Sequence, residues 1–403
     1  MRNTIALLSV LVVAVASCAP ARAQKIDPDV KTLVDGNTDF GLALYQRLAA
    51  REGNLFFSPY SISNAFSMCY AGAKGNTAEQ MKTTLRFNLG AEQLHSAFGK
   101  LVRHFADDGK KRPFQLAIAN RLWGQKDHGF LPGFLKIGQD HYKAGLEEVD
   151  FVKGTENARQ TINKWVEKQT KNKIKKLLPG GAVSVQTRLV LTNAIYFKAA
   201  WLAPFNAGNT KAGPFKLARG KIIQTPMMHS KHLTRLASFD SFSMVQIPYE
   251  GFQQSMFILL PKKADGLADL EGQLSAQNLA AWLKKLDDFE VDLKIPRFKV
   301  TDEFQLDKAL KQMGMSDAFA PRKANFSGMA SNQNLFISAA LHKAFVEVNE
   351  NGTEAVAATG IVFNLLGRPQ TATFHADRPF FFLIRDHRSG SILFAGRVTN
   401  PAS

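Results

Sequence analysis

The chain has 403 residues, 45% of them hydrophobic and 21% charged, which excludes a disordered polyelectrolyte and a small scaffold that needs cross-links to fold. Lysine and arginine number 51 against 34 acidic residues, a formal net charge of +17 that favours contact with acidic surfaces; spread along the chain, it does not define a specific nucleic-acid binder. The two cysteines, Cys18 and Cys69, exclude an internal disulfide framework, because Cys18 falls in a segment expected to be processed.

Arg2, the apolar run Ile5 to Ala16 and the small residues of Ala21-Arg22-Ala23 form the pattern of a secretory signal over residues 1–23, too short to anchor stably in a bilayer. Val15-Ala16-Ser17-Cys18 is an alternative, a bacterial lipoprotein signal over 1–17 with Cys18 lipidated. Either processing takes the protein out of the cytoplasm, to the extracellular space in the first case and to a lipoprotein or periplasmic location in the second. Residues 24–403 carry no linker, low-complexity tract or repeat, so a single domain is expected. No later run has the length of a transmembrane helix.

Asn37 is expected to cap a helix carrying Phe40, Ala43, Leu44 and Leu48 at helical spacing. Thr77 and Gln80 predict a capping box before Met81 and Leu85. Thr155 is expected to cap a helix with Ala158, Ile162, Trp165 and Val166 on one face. Cys69 is expected as a small buried hydrophobe. Strand patterns follow at 189–191, 195–197, 291–295, 343–349, 380–384 and 392–398. Helices first and strands afterwards give an α+β fold class.

No spacing that activates a nucleophile, binds phosphate or cradles a dinucleotide occurs, so neither an enzyme nor a cofactor is expected. His229-Ser230-Lys231-His232 lacks neighbouring carboxylates or thiolates in sequence and is taken as a solvated turn, not a metal site. The run from Glu350 to Gly360 differs from its surroundings: at a period of two, Thr353, Ala355, Ala357 and Thr359 make one face of small residues. Such a face could slide between strands, while composition alone favours the plainer reading of a flexible small-residue loop. The apolar stretch Ile361 to Leu366 and Gly367-Arg368-Pro369 then look like protease bait.

From about Asp39 to Pro401 the chain resembles the serpin family. The resemblance is carried by Asn54-Leu55-Phe56-Phe57-Ser58-Pro59 with Ser61-Ile62, by Ala71 to Thr77, by Thr192-Asn193-Ala194-Ile195-Tyr196-Phe197, by Ile295-Pro296-Arg297-Phe298, by His342 to Glu350, and by Ala376-Asp377-Arg378-Pro379-Phe380 with Leu393 to Val398. It implies a large mixed β-sheet, smaller β-sheets, surrounding helices and an exposed reactive loop at about 350–373. It further implies suicide inhibition of serine proteases, with cysteine proteases as a second class: the loop is cut, an acyl-enzyme forms, and the hinge inserts into the main sheet before the ester hydrolyses. The alternative within the family is a non-inhibitory binding, carrier or chaperone protein.

The resemblance also assigns residues. The hinge comprises Glu350, Gly352, Thr353, Glu354, Ala355, Val356, Ala357, Ala358 and Thr359. Family spacing from Glu350 places the scissile bond at Leu366-Gly367, which suits chymotrypsin-, elastase- or subtilisin-like pockets, with cleavage after Phe363 or Leu365 as the competitor. Ser58, Ser61, Asn193 and His342 match a hydrogen-bonded structural network, the shutter, and Trp201 the point of first insertion, the breach. Gly352 to Leu366 spans 15 residues, roughly 50 Å when extended. Asn351-Gly352-Thr353 is a glycosylation sequon expected to stay unmodified, since a glycan would crowd the hinge. Lys168, Lys171, Lys173, Lys175 and Lys176, and separately Lys110-Lys111-Arg112, suggest polyanion binding, with a solvated positive face as the plainer reading. A monomer is expected.

Overall fold

The computed structural model describes residues 26–106, 112–143, 145–331, 335–353 and 370–403. The helices are α1 (Pro28–Leu48), α2 (Pro59–Tyr70), α3 (Gly75–Leu85), α4 (Ala91–Phe105), α5 (Pro132–Tyr142), α6 (Thr155–Gln169), α7 (Leu267–Gly272), α8 (Ala276–Lys284) and α9 (Leu306–Gln312). The strands are β1 (Leu55–Phe57), β2 (Phe114–Gln125), β3 (Leu146–Val149), β4 (Leu189–Ala200), β5 (Lys211–Lys216), β6 (Ile222–Ser238), β7 (Phe242–Pro248) and β8 (Gln254–Pro261), then β9 (Asp287–Pro296), β10 (Phe298–Gln305), β11 (Ala339–Asn349), β12 (Gly352–Thr353), β13 (Thr371–His375), β14 (Phe380–Asp386) and β15 (Ile392–Val398).

Two sheets organise these elements. One has six strands in the order β10-β11-β12-β4-β2-β3, with β11 also paired directly to β4. The other runs β1-β15-β14-β8-β7-β6-β9-β13, with β5 on β6, so that strands expected as separate smaller sheets join into one nine-stranded assembly. The six-stranded sheet is mixed: β4 runs antiparallel to β2 and parallel to β11.

β4 explains why its sequence lacks a polar face. Leu191, Ile195 and Phe197 point into the main core, while Val190, Ala194 and Tyr196 pack in a second cluster with Ile162 and Val166 of α6. A strand covered on both faces reads as an apolar run; 189–191 and 195–197 appear as two signals because Thr192 and Asn193 interrupt it, yet both belong to β4.

Three expected helix starts move. α1 begins nine residues before Asn37, where Asp27 Oδ1 accepts from the amides of Asp29 and Val30 and Pro28 fits the first turn. Asn37 lies inside that helix, buried, and accepts from Ser63 Oγ at 2.6 Å. Thr77 is likewise internal to α3: its Oγ1 accepts from Asn325 N, while Gln80 accepts from Ser316 and Asp317 amides. Both side chains serve tertiary contacts in place of the capping roles their spacing suggests. α6 is capped at Gly154, and Thr155 Oγ1 donates back to Phe151 O at 2.6 Å. Cys69 is fully buried, and burial pushes its thiol well above the ordinary range.

The segment 229–232 is not a turn. It lies within β6, and the carboxylate missing from its sequence neighbourhood arrives from β9: His229 Nε2 is 2.9 Å from Asp292 Oδ1, which also meets His375 Nε2 at 3.2 Å. Among the described residues no helix is long and apolar enough to cross a membrane.

Candidate functional site

Ser58-Pro59 is a compact helix-start signal. Ser58, with extended φ of −113°, caps α2 by accepting from Ser61 N at 3.1 Å, and Pro59 occupies the first turn without losing a hydrogen bond. This fixes Ser61 beneath the six-stranded sheet. Register places Asn120 of β2 opposite Asn193 of β4, and Asn193 opposite His342 of β11, so three adjacent strands present one polar row. Asn193 Nδ2 donates to Ser61 O at 2.8 Å and to Ser61 Oγ at 2.7 Å, and Ser61 Oγ donates to Asn120 Oδ1 at 3.1 Å.

Ser58 N donates to His342 Nε2 at 3.1 Å, which leaves the imidazole proton on Nδ1, facing Asn193 Oδ1. The ring is therefore neutral, and burial pushes its pKa down to about 3. All four expected shutter residues are brought together, each fully buried. Asn120 and Asn64 were missed: Asn120 Nδ2 donates to Asn64 Oδ1 and to Ser61 O, both at 3.1 Å. No Ser and His pair here is arranged as nucleophile and base, since His342 Nε2 is engaged by a backbone amide.

Above this row β4 and β11 diverge. They pair directly from Val190 with Ala339 to Tyr196 with Phe345. Beyond that, β12 enters between them: Thr353 pairs with Val348 and Ala199, Gly352 with Asn349 and Ala200. Two residues of the run from Glu350 to Gly360, Gly352 and Thr353, thus already occupy a strand position at rest. Gly352 has φ +145°, and a Cβ there would lie 2.2 Å from Ala199 O and 2.8 Å from Ala200 Cα, so only glycine fits.

Thr353 is fully buried, and its Oγ1 lies 2.6 Å from Tyr249 Oη. Tyr249 stacks on Trp201 at 4.6 Å between centroids and 11° between planes. Trp201 Nε1 donates to Asn349 O and Trp201 N to Asn351 O, both at 2.9 Å. Trp201 therefore holds the bend between β11 and β12 through both its ring and its backbone amide.

Glu350 anchors the preceding bend. Arg297 Nε lies 2.7 Å and Thr210 Oγ1 2.5 Å from Glu350 Oε1, and Phe205 N donates to Glu350 O at 2.9 Å. Burial works to raise the Glu350 pKa, but the hydrogen bonds from Arg297 and Thr210 outweigh it and hold the carboxyl below its ordinary value. The remaining hinge positions Glu354, Ala355, Val356, Ala357, Ala358 and Thr359, and the bond Leu366-Gly367, lie outside the described residues. Lys168, Lys171, Lys173, Lys175 and Lys176 are all exposed around the end of α6; Lys110 and Lys111 are outside the described residues, and Arg112 Nη1 donates to His104 O at 2.6 Å.

The family profile described as "Serpin (serine protease inhibitor)" matches residues 35–401. The human "Leukocyte elastase inhibitor" is 41% identical over 383 residues, covering 92% of this chain and 100% of that one. The solved structure of human thyroxine-binding globulin complexed with its thyroid hormone has a TM-score of 0.84 at 31% identity, covering 93% of this chain and 99% of that chain. An Arabidopsis serpin in its "Native Stressed Conformation" gives 0.83 at 30% identity, covering 94% and 100%. The mixed six-stranded sheet, parted at one end by β12, and the second, nine-stranded assembly define an α+β protein, and the chain belongs to the serpin family.

Proposed function

We propose that the chain is a suicide inhibitor of serine endopeptidases and not itself an enzyme. The protease serine Oγ attacks the carbonyl carbon of Leu366, the Leu366-Gly367 C–N bond breaks, and the Gly367 amine leaves with a proton from the protease's general acid. The ester remains on Leu366. Residues from Glu354 to Leu366 then enter the six-stranded sheet as a strand between β4 and β11, carrying the acyl-enzyme with them before water arrives.

One observation carries this reading: Gly352 and Thr353 already sit between β4 and β11, with an uncharged Thr353 on the inward face. Ala355, Ala357 and Thr359 continue that face without charge or bulk that would be costly to bury unpaired. Strand addition to a sheet, of which a serpin loop is itself a standard example, supplies main-chain hydrogen bonds and apolar burial. Similarity to an elastase inhibitor and the aliphatic Leu366 support elastase- and chymotrypsin-like targets. The test is a complex with chymotrypsin or elastase that survives SDS, with mass spectrometry placing the released peptide at Gly367. Cleavage with no trapped enzyme would favour the second reading, a carrier, which the likeness to thyroxine-binding globulin motivates.

Residues 1–23 are proposed as a secretory leader, with lipidation at Cys18 as the alternative. The folded domain begins within a few residues of that cut, since Asp27 already caps α1. Mass spectrometry of exported protein should give an N-terminus at Gln24; a lipid-modified Cys18 would replace that assignment. The exposed lysines 168 to 176 make a polyanion a candidate partner, to be kept only if heparin changes the inhibition rate in a salt-sensitive way.

A further inference from the structure

A cavity of about 190 Å³ lies beside the segment joining β4 to β5, walled by Leu202, Ala203, Ile247, Pro248 and Leu293, with His232 of β6 in its lining. His232 is 8% exposed and its Nε2 has no hydrogen-bond partner. Phe205 meets the imidazole edge-on at 5.0 Å between centroids. Of the other polar side chains in the lining, Thr234 Oγ1 donates to Gln246 O and Lys231 is exposed. Burial pushes His232 down to about 4, so at neutral pH the ring is uncharged and presents one donor and one acceptor nitrogen.

An aliphatic chamber of about 150 Å³ is enough to bind benzene, and the chamber here adds one unmet hydrogen-bonding nitrogen to walls of that kind. An anion finds no buried counter-charge, since Lys231 is exposed at the surface. We propose that this cavity is a binding site for a small uncharged phenol, whose ring fills the chamber and whose hydroxyl pairs with His232. A hydroxyl both donates and accepts, so it suits either tautomer of the ring.

The wall is also the hinge's support. Leu202 N donates to Pro248 O, while its neighbours Trp201 N and Phe205 N donate to Asn351 O and Glu350 O, each at 2.9 Å. A ligand packed against Leu202 and Ala203 braces the segment that holds the hinge, which links the cavity to the seating of β12.

The probes are phenol and benzene, titrated calorimetrically against the mature chain with its loop intact. Expected is saturable 1:1 binding of phenol at least tenfold tighter than benzene, with a shift of the His232 ring-proton resonance, and loss of that preference in His232→Leu. Ile247→Phe, which fills the chamber and leaves His232 in place, should abolish both bindings and keeps the test decisive if His232→Leu fails to fold. Absence of saturable phenol binding, as for a chamber holding water only, overturns the assignment. So does a phenol preference that survives His232→Leu, or phenol binding that survives Ile247→Phe.

Discussion

At Gly352 a single hydrogen atom decides whether the hinge can be seated. Gly352→Ala would drive a methyl into the Ala199 carbonyl, and backbone strain at such positions costs on the order of 1–3 kcal/mol. The expected outcome is that β12 leaves the sheet, read as faster hydrogen exchange at Trp201 N and altered Trp201 emission; an unchanged exchange rate would show that the seat tolerates a side chain. Glu350→Gln keeps the shape of the bend and removes its charge. With Arg297 half-exposed, the loss should be modest, about 1 kcal/mol by denaturant unfolding. His342, His95 and His232 are each held neutral by burial, at about 3, 4 and 4. Their folded values lie below the unfolded value of about 6.5, so the unfolded chain binds more protons between those limits. Stability should therefore fall as pH drops from about 6.5 towards 4, by up to about 1.4 kcal/mol per pH unit for each histidine, and His342→Gln should flatten the profile.

At the scale of elements, insertion beyond Thr353 must separate β4 from β11 along the stretch where Val190 to Tyr196 meet Ala339 to Phe345. The polar row lies in that stretch, with Asn193 and His342 directly opposed, so the proposed opening of the sheet would break the His342 to Asn193 bond. Thr353→Arg would place a charge in a fully buried position beside Tyr249 and should convert the protein into a substrate, raising the inhibitor-to-protease ratio needed for full inhibition at least tenfold; an unchanged ratio would mean that seating at Thr353 is not on the inhibitory route. Much of this arrangement was legible in the sequence. Alternation marked β11 and β9, while of the small-residue face only Thr353 lies within the described residues, buried in β12. The helix starts at Asn37 and Thr77 misled, because a local capping pattern is indistinguishable from a polar side chain recruited by Ser63 or Asn325, which are distant in sequence. Asn120 was invisible as a site residue for the same reason, since its role comes from register with Asn193. The carboxylate opposite His229 arrives by strand pairing and leaves no trace near 229–232.

For the whole molecule, the two sheets meet different demands. The nine-stranded assembly is packed through Phe56, whose fully buried ring stacks on those of Phe382 at 5.8 Å and Phe394 at 5.0 Å. The six-stranded sheet is parted at one end by only two residues of β12, and it can gain a full strand's hydrogen bonds if the rest follows. On the proposed reading, cutting the loop would release this stability, because it would free the chain after Thr353 from its covalent link to β13. The most direct measurement is the melting temperature before and after a protease nicks the loop near Leu366 without separating the fragments. Strand insertion requires the nicked protein to melt well above the intact one; equal melting temperatures, with the loop shown to be cut, would contradict the central claim that this sheet is built to take up its own cleaved strand.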